Sequence, residues 1–232
     1  MMADYKHGPA PAIFPEMLLV QASATLPLAA LNAALRPHRL WLPIVPLAPS
    51  RTLTDFLRQN AGGRYQLKHG TIAHYVRAAT LISADPPGTL LYVGGPTLKR
   101  STGYGLARAI VGDGIDELPG IAGLHDVTLH VRPLPPERGC ILLACPNPAS
   151  ACQLAQSLIN ARLDPAALAV HINTDATSML VVLEGIAPVL ERQATQVARL
   201  ATQAACTSTV LYDVSAAWQP WEALPPSTTS IS

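Results

Sequence analysis

Gly94 and Gly95 close a β-rich apolar run, Lys99 follows four residues later, and Gly103-Tyr104 completes the stretch LLYVGGPTLKRSTGYGL from Leu90 to Leu106. Adjacent glycines carry no Cβ, so a ligand or a second stretch of backbone can come close to the chain there. The Lys99 ammonium suits a phosphate or a carboxylate; a solvated surface lysine is the competing reading. Gly112, Asp113 and Gly114 supply a further glycine-bearing turn. Neither stretch is a nucleotide fingerprint. Arg108 stands where the dinucleotide pattern begun by Gly103-Tyr104-Gly105 needs its third glycine, and Gly112–Gly114 is not followed by the Lys-Ser/Thr of a P-loop.

Other reactive side chains form no constellation. His125 and His130 are five residues apart, and an odd spacing on a regular strand places them on opposite faces. HExxH and G-x-S-x-G are absent, which argues against a zincin or an α/β-hydrolase. Cys140, Cys145, Cys152 and Cys206 form no C-x-x-C pair, so they read as buried free thiols rather than a zinc or iron–sulfur site. No catalytic residue and no metal ligand is assigned.

The elements that must position the glycine stretch alternate between strand and helix. Residues 1–16, with Pro9, Pro11 and Pro15, read as an irregular arm. Met17–Gln21 reads as a strand, and Leu26–Leu35 as a helix with Thr25 as its N-cap. Leu40–Val45 is extended, and Thr52–Asn60 is a second helix ended by Gly62-Gly63. Thr71–Ser83 and Thr89–Val93 pair through the Asp85-Pro86-Pro87-Gly88 turn. Leu106–Val111 is a short helix and Gly123–Arg132 a strand. The rhythm breaks at Leu134-Pro135-Pro136, where a domain boundary is placed. Beyond it Ile141–Cys145 is a strand, and Asn147 caps a helix opened by Pro148. Leu168–Ile172 and Met179–Leu183 are strands, Pro188 opens a helix, and Thr209–Tyr212 is the last strand. The order β-α-β-β-α-β is that of a ferredoxin-like unit. Residues 214–232 read as an irregular tail anchored by Trp218 and Trp221.

Of 232 residues, 49% are hydrophobic and 13% charged, against roughly 25% charged in an average chain. Lys6, Lys68 and Lys99 are the only lysines, and the formal charge is +1. So little charge leaves neutral surface, which suits an interface; a compact monomer with an Ala- and Pro-rich surface is the alternative. No basic run marks a nucleic-acid partner. No stretch reaches the roughly 18 apolar residues of a membrane span. The first residues lack a basic segment followed by an apolar core, so the expected location is cytoplasmic.

The stretch GGPTLKRSTGYGL resembles the GG-x-x-x-K-x-x-x-GYDL signature of FAD-linked oxidases of the p-cresol methylhydroxylase and vanillyl-alcohol oxidase type. The E-subunit branch of glycolate oxidases is the nearest in pattern. ATLPLAALNAALRPHRLWLPIVP, TLTDFLRQNAGG and IAGLHDVTLHVRPLP also follow that family in order and spacing. The resemblance covers roughly Leu18 to Pro133. It implies an α+β chain: residues 17–133 as the second half of a PCMH-type FAD-binding domain, a mixed sheet with flanking helices, and residues 138–213 as a ferredoxin-like cap. It implies FAD as cofactor and Gly94, Gly95, Lys99, Gly103, Tyr104 and Gly112 as what remains of its site.

The departures from the family pattern bear on that site. The family's pyrophosphate loop, which needs glycines and free amides, precedes this region, and residues 1–16 do not supply it. The family's T-x-GG glycines align with Thr54-Asp55, Gly105 replaces the aspartate of GYDL, and Asp113 adds negative charge. The resemblance therefore implies an N-terminally truncated, non-catalytic accessory subunit in which FAD binding is weak or lost. Its partners would be the subunits of a redox complex or a second copy, meeting at Leu18–Val20 and Leu40–Pro46. The alternative is an active FAD-dependent 2-hydroxy-acid oxidoreductase subunit whose pyrophosphate-binding half comes from another chain.

Overall fold

The computed structural model describes residues 10–45, 51–95, 109–112, 114–174, 176–211 and 217–219. The chain divides into two units, one drawn from residues 1–65 and 69–134, the other from 66–68 and 135–232.

The first unit is built on a five-stranded sheet. Its strands are β1 (Ala12–Phe14), β2 (Leu19–Ser23), β4 (Val76–Ala84), β5 (Pro87–Gly94) and β6 (Ile121–His130), in the order β1-β2-β6-β4-β5. Every neighbouring pair is antiparallel. The mixed sheet expected from the resemblance is thus corrected to an antiparallel one, because β6 inserts between β2 and β4 and runs opposite to both. A small ladder joins β3 (Leu40–Trp41) to β7 (Arg132–Pro133). Helices α1 (Leu28–Leu35) and α2 (Leu53–Gln59) supply Leu28, Leu31, Leu35, Phe56 and Leu57 to one core with Val20, Ala22, Ala79, Leu81, Val127 and Leu129 of the sheet. Burying one such side chain is worth about 1.5–3 kcal/mol.

Several local expectations change. Residues 12–14 of the arm pair with β2 as an edge strand flanked by Pro11 and Pro15, where missing N–H groups cost nothing to the ladder. Thr25 does not cap α1: Pro27 occupies that position, and the Thr25 hydroxyl lies 3.0 Å from that of Ser23. Asn60, with φ of 45°, ends α2 instead of a glycine. Ile72–His74 is a 3₁₀ turn, so the strand begins at Val76. Residues 109–112 form turns, and a short helix α4 (Gly114–Glu117) follows; Leu106–Arg108 lie outside the described residues. Leu19, Val20, Leu40, Leu42 and Ile44 are all buried, at 4% exposure or less. Val20, Leu40, Leu42 and Ile44 belong to this unit's own core, so these side chains are not free for the partner surface expected at Leu18–Val20 and Leu40–Pro46.

A short helix α3 (Gln66–His69) follows α2 in the chain. The second unit runs β8 (Glu137–Cys145), α5 (Pro148–Asn160), β9 (Ala167–Ile172), β10 (Thr177–Gly185), α6 (Ala187–Gln203), β11 (Thr207–Leu211). Its four-stranded antiparallel sheet has the order β11-β8-β10-β9. The Asn147 side chain accepts from the Ser150 N–H at 2.9 Å, and Pro148 opens α5. That helix turns Ala151, Leu154 and Leu158 inward but leaves Cys152 and Ile159 exposed. With Val197 and Ala201 of α6 they cover Ile141, Leu143, Met179, Val181 and Leu183. β8 starts earlier than its apolar run because Arg138 pairs with Glu184 at 2.9 Å across the ladder. Residues 217–219 are helical and bury Trp218 to 3% exposure. No helix among the described residues is long and apolar enough to cross a membrane.

Candidate functional site

The two ends of the glycine stretch are tied down in the first unit. Gly94 pairs with Ala78 at the end of the β4–β5 hairpin, with φ of +87°. Such backbone favours glycine. The Gly95 N–H donates to the Arg77 carbonyl at 3.2 Å, and among the described residues a Cβ on Gly95 would meet nothing within 4 Å. Lys99, Gly103 and Tyr104 lie outside the described residues, as do Gly105 and Asp113. Beyond them, fully buried Ile110 enters the core. The Gly112 N–H then donates to the Leu57 carbonyl of α2 at 2.8 Å. Val93 and Val111 both pack against that core. The structure thus anchors Gly94–Gly95 on β4 and Gly112 on α2.

Thr54 and Asp55, where the family pattern has glycines, have local work in α2. The Thr52 hydroxyl accepts from the Asp55 N–H at 3.3 Å, and the Asp55 carboxylate accepts from the Thr52 N–H and hydroxyl, each at 2.8 Å. This is a reciprocal capping box. The N–H groups of Leu53 and Thr54 donate to the carbonyls of Leu26 and Ala24, and the Thr54 hydroxyl also reaches Ala24. The start of α2 is therefore satisfied from within the protein, with the Asp55 carboxylate filling it.

The hydrogen bond from the Thr52 backbone, followed by that from its side chain, lowers the Asp55 pKa below the usual carboxylate value. Its contribution to stability is present above the unfolded carboxyl's value of about 3.9 and is lost as pH falls through the lower folded value. Asp55→Ala is expected to cost about 1 kcal/mol at neutral pH. In urea titrations the gap between the two proteins should close as acid protonates Asp55; a gap unchanged down to the acid limb contradicts this role.

A polar cluster that the sequence reading missed lies on the central strands. Asp126 of β6 is 3% exposed and Thr80 of β4 2%. The Asp126 carboxylate accepts from the Thr80 hydroxyl at 2.9 Å and from the Gln21 amide at 3.0 Å, while His125 Nδ1 lies 3.0 Å from its other oxygen. Neighbouring residues on a regular strand point to opposite faces. Here the register steps from Thr80↔Asp126 to Leu81↔Leu124, so His125 is the extra residue of a bulge and can reach Asp126. The same irregularity undoes the spacing argument that set His125 and His130 on opposite faces. A carboxylate beside Nδ1 orients the ring, whose side chain is 35% exposed. The sequence signal was a lone carboxylate inside the apolar alternation of Leu124–Val131.

Nearby on β6, burial lowers the His130 pKa, and the charges of Arg77 and Arg132 lower it further. Arg132 also lies 6.0 Å over the Tyr75 ring. Among the described residues no group of three or more His, Cys, Asp or Glu side chains gathers to hold a metal ion.

Comparison with known proteins gives likeness of two kinds. Over 81 residues the chain is 41% identical to the D-lactate dehydrogenase of Archaeoglobus fulgidus, which covers 35% of this chain and 18% of that protein. Two structures of alkyldihydroxyacetonephosphate synthase superpose with TM-scores of 0.75 and 0.72 at 13% identity, covering 91% of this chain and 43% of theirs. The fold is one shared with that synthase. The chain spans less than half the length of each of these proteins. No protein-family model matches it. The first is a local sequence likeness to a dehydrogenase, and the second is a likeness of fold.

Proposed function

We propose that this chain is a subunit of FAD-linked oxidase type, related to the E subunit of glycolate oxidases, that serves a redox complex without holding FAD tightly itself. Residues 17–133 correspond to the second half of a PCMH-type flavin domain, and the β-α-β-β-α-β unit to its ferredoxin-like cap. The observation that carries the reading is the start of α2. Its N–H groups are taken by Ala24 and Leu26, and Thr54-Asp55, which align in sequence with two glycines of the family pattern, put a carboxylate there. Negative charge fixed there opposes an anionic cofactor, and each charge-assisted hydrogen bond forgone costs about 1.5–3 kcal/mol. Gly94, Gly95 and Gly112, with Lys99, Gly103 and Tyr104, are the residual contacts.

Partner subunits or a second copy fit the exposed apolar side chains of edge strand β5, with Leu91 at 41% and Tyr92 at 67% exposure. Among the described residues the outer edge of β5 has no partner strand, and strand edges of this kind accept one.

FAD added to the purified chain is expected to bind with a dissociation constant above about 1 μM, near or weaker than −8 kcal/mol. Titration calorimetry checks this, and Lys99→Ala should weaken whatever binding remains. A sub-micromolar constant, or a chain that purifies yellow, overturns the reading. It would favour the second one: an active FAD-dependent 2-hydroxy-acid oxidoreductase subunit completed by another chain, which the 41% identity to a D-lactate dehydrogenase supports.

A further inference from the structure

Cys145 ends β8, and Cys206 immediately precedes β11. The β11–β8 ladder sets Thr207 opposite Ala144, which places Cys206 opposite Cys145 at the next step. Their sulfurs are 3.0 Å apart, and both residues are buried, at 8% and 6% exposure. Residues directly opposite in an antiparallel pair have Cα atoms about 4.5–5.5 Å apart, inside the roughly 4.4–6.8 Å that a disulfide spans. The other two thiols are differently placed: the Cys140 thiol donates to the Leu211 carbonyl at 3.2 Å, and Cys152 is exposed on α5.

We propose that Cys145 and Cys206 are a dithiol modification site that closes to an intramolecular disulfide when the protein meets a low-molecular-weight disulfide of the oxidised-glutathione class. The Cys206 thiolate attacks one sulfur of the small disulfide, forming a mixed disulfide and releasing one small thiolate. Cys145 then attacks the Cys206 sulfur, expelling the second small thiolate. The protons of the two cysteines end on the two released thiols. The protein pair loses two electrons and two protons, and the small disulfide is reduced to two thiols.

Burial, and then the hydrogen bond and charge of Cys206, push the Cys145 thiol up to about 12. The second attack runs inside the protein, where the partner sulfur is already in contact. The bond would join the end of β8 to the α6–β11 junction across 61 positions. Closing so long a segment restricts the unfolded chain, so the oxidised protein should unfold at a higher temperature.

The test uses the full chain carrying Cys152→Ser, which removes the exposed thiol, treated with oxidised glutathione at neutral pH. It is then unfolded in acid denaturant, alkylated and mapped without reduction. The expected result is a loss of about 2 Da in intact mass, one linked peptide pair joining Cys145 to Cys206, alkylation at Cys140, reversal by reductant and a raised melting temperature. Cys206→Ser in the same background should lose the mass change; if that variant does not fold, the peptide map of its parent decides. Cys145 and Cys206 both alkylated, a lasting glutathione adduct on either, or a link to Cys140 would overturn the proposal.

Discussion

Asp126→Ala is expected to lower the unfolding free energy by about 3 kcal/mol. The carboxylate is the shared acceptor for the Thr80 hydroxyl and the Gln21 amide. Removing it leaves the Thr80 hydroxyl, on a residue 2% exposed, without this acceptor on the central strand. A buried polar group stripped of its partner costs about 1–3 kcal/mol, and Gln21 and His125 lose their contacts as well. Urea denaturation at neutral pH checks this through the transition midpoint, with an unchanged slope showing that the same surface unfolds. Asp126→Asn keeps an acceptor oxygen for Thr80 and should lose less than the alanine variant. If alanine and asparagine are equally mild, the cluster does not hold β2, β4 and β6 together.

The second large effect belongs to Gly63→Ala, expected to cost about 3 kcal/mol. Gly63 has φ of +70°, and a Cβ there would lie 2.3 Å from the Val45 carbonyl oxygen and 2.8 Å from its carbon. The left-handed conformation alone costs an L-residue about 1–2 kcal/mol. The clash adds to that, because the obstacle is backbone held by the 2.9 Å hydrogen bond from the Arg64 N–H to Val45. Gly88 is the control: its φ is +81°, but a Cβ would meet nothing within 4 Å. Gly88→Ala should therefore show only the conformational cost, about 1 kcal/mol. Thermal unfolding of the two variants side by side tests the difference, and equal losses would mean that the Val45 contact yields without cost.

How far the chain could be read in advance depended on how local each signal was. Asn147 followed by Pro148 announces α5 within two residues, because cap and first turn are chemical properties of those side chains. The Asp85–Gly88 turn announces the β4–β5 hairpin for the same reason. Thr52 and Asp55 carry an equally local capping signal, yet set against a family pattern they read as lost glycines. Their hydrogen bonds show that the same residues build the helix start. β1 escaped notice because its three residues become a strand only by pairing with β2.

Of the candidate site, the glycine pair and its place at a strand end were legible, since missing Cβ atoms and a β-rich run are visible in the letters themselves. The Asp126 cluster was not. It joins residues 105 and 46 positions apart, Gln21 and Thr80 with Asp126, and it needs a bulge at His125 that no residue type announces. The Cys145–Cys206 contact was hidden for the same reason, since it exists only because β11 returns to pair with β8. Composition, turn chemistry and capping thus determined the kinds of element and much of their order, because those preferences act over a few residues. Which strand inserts between which, which carboxylate is buried among donors and which thiols touch were decided by tertiary structure alone. Those outcomes depend on long-range pairing of strands, whose register sets every side chain's face and neighbours.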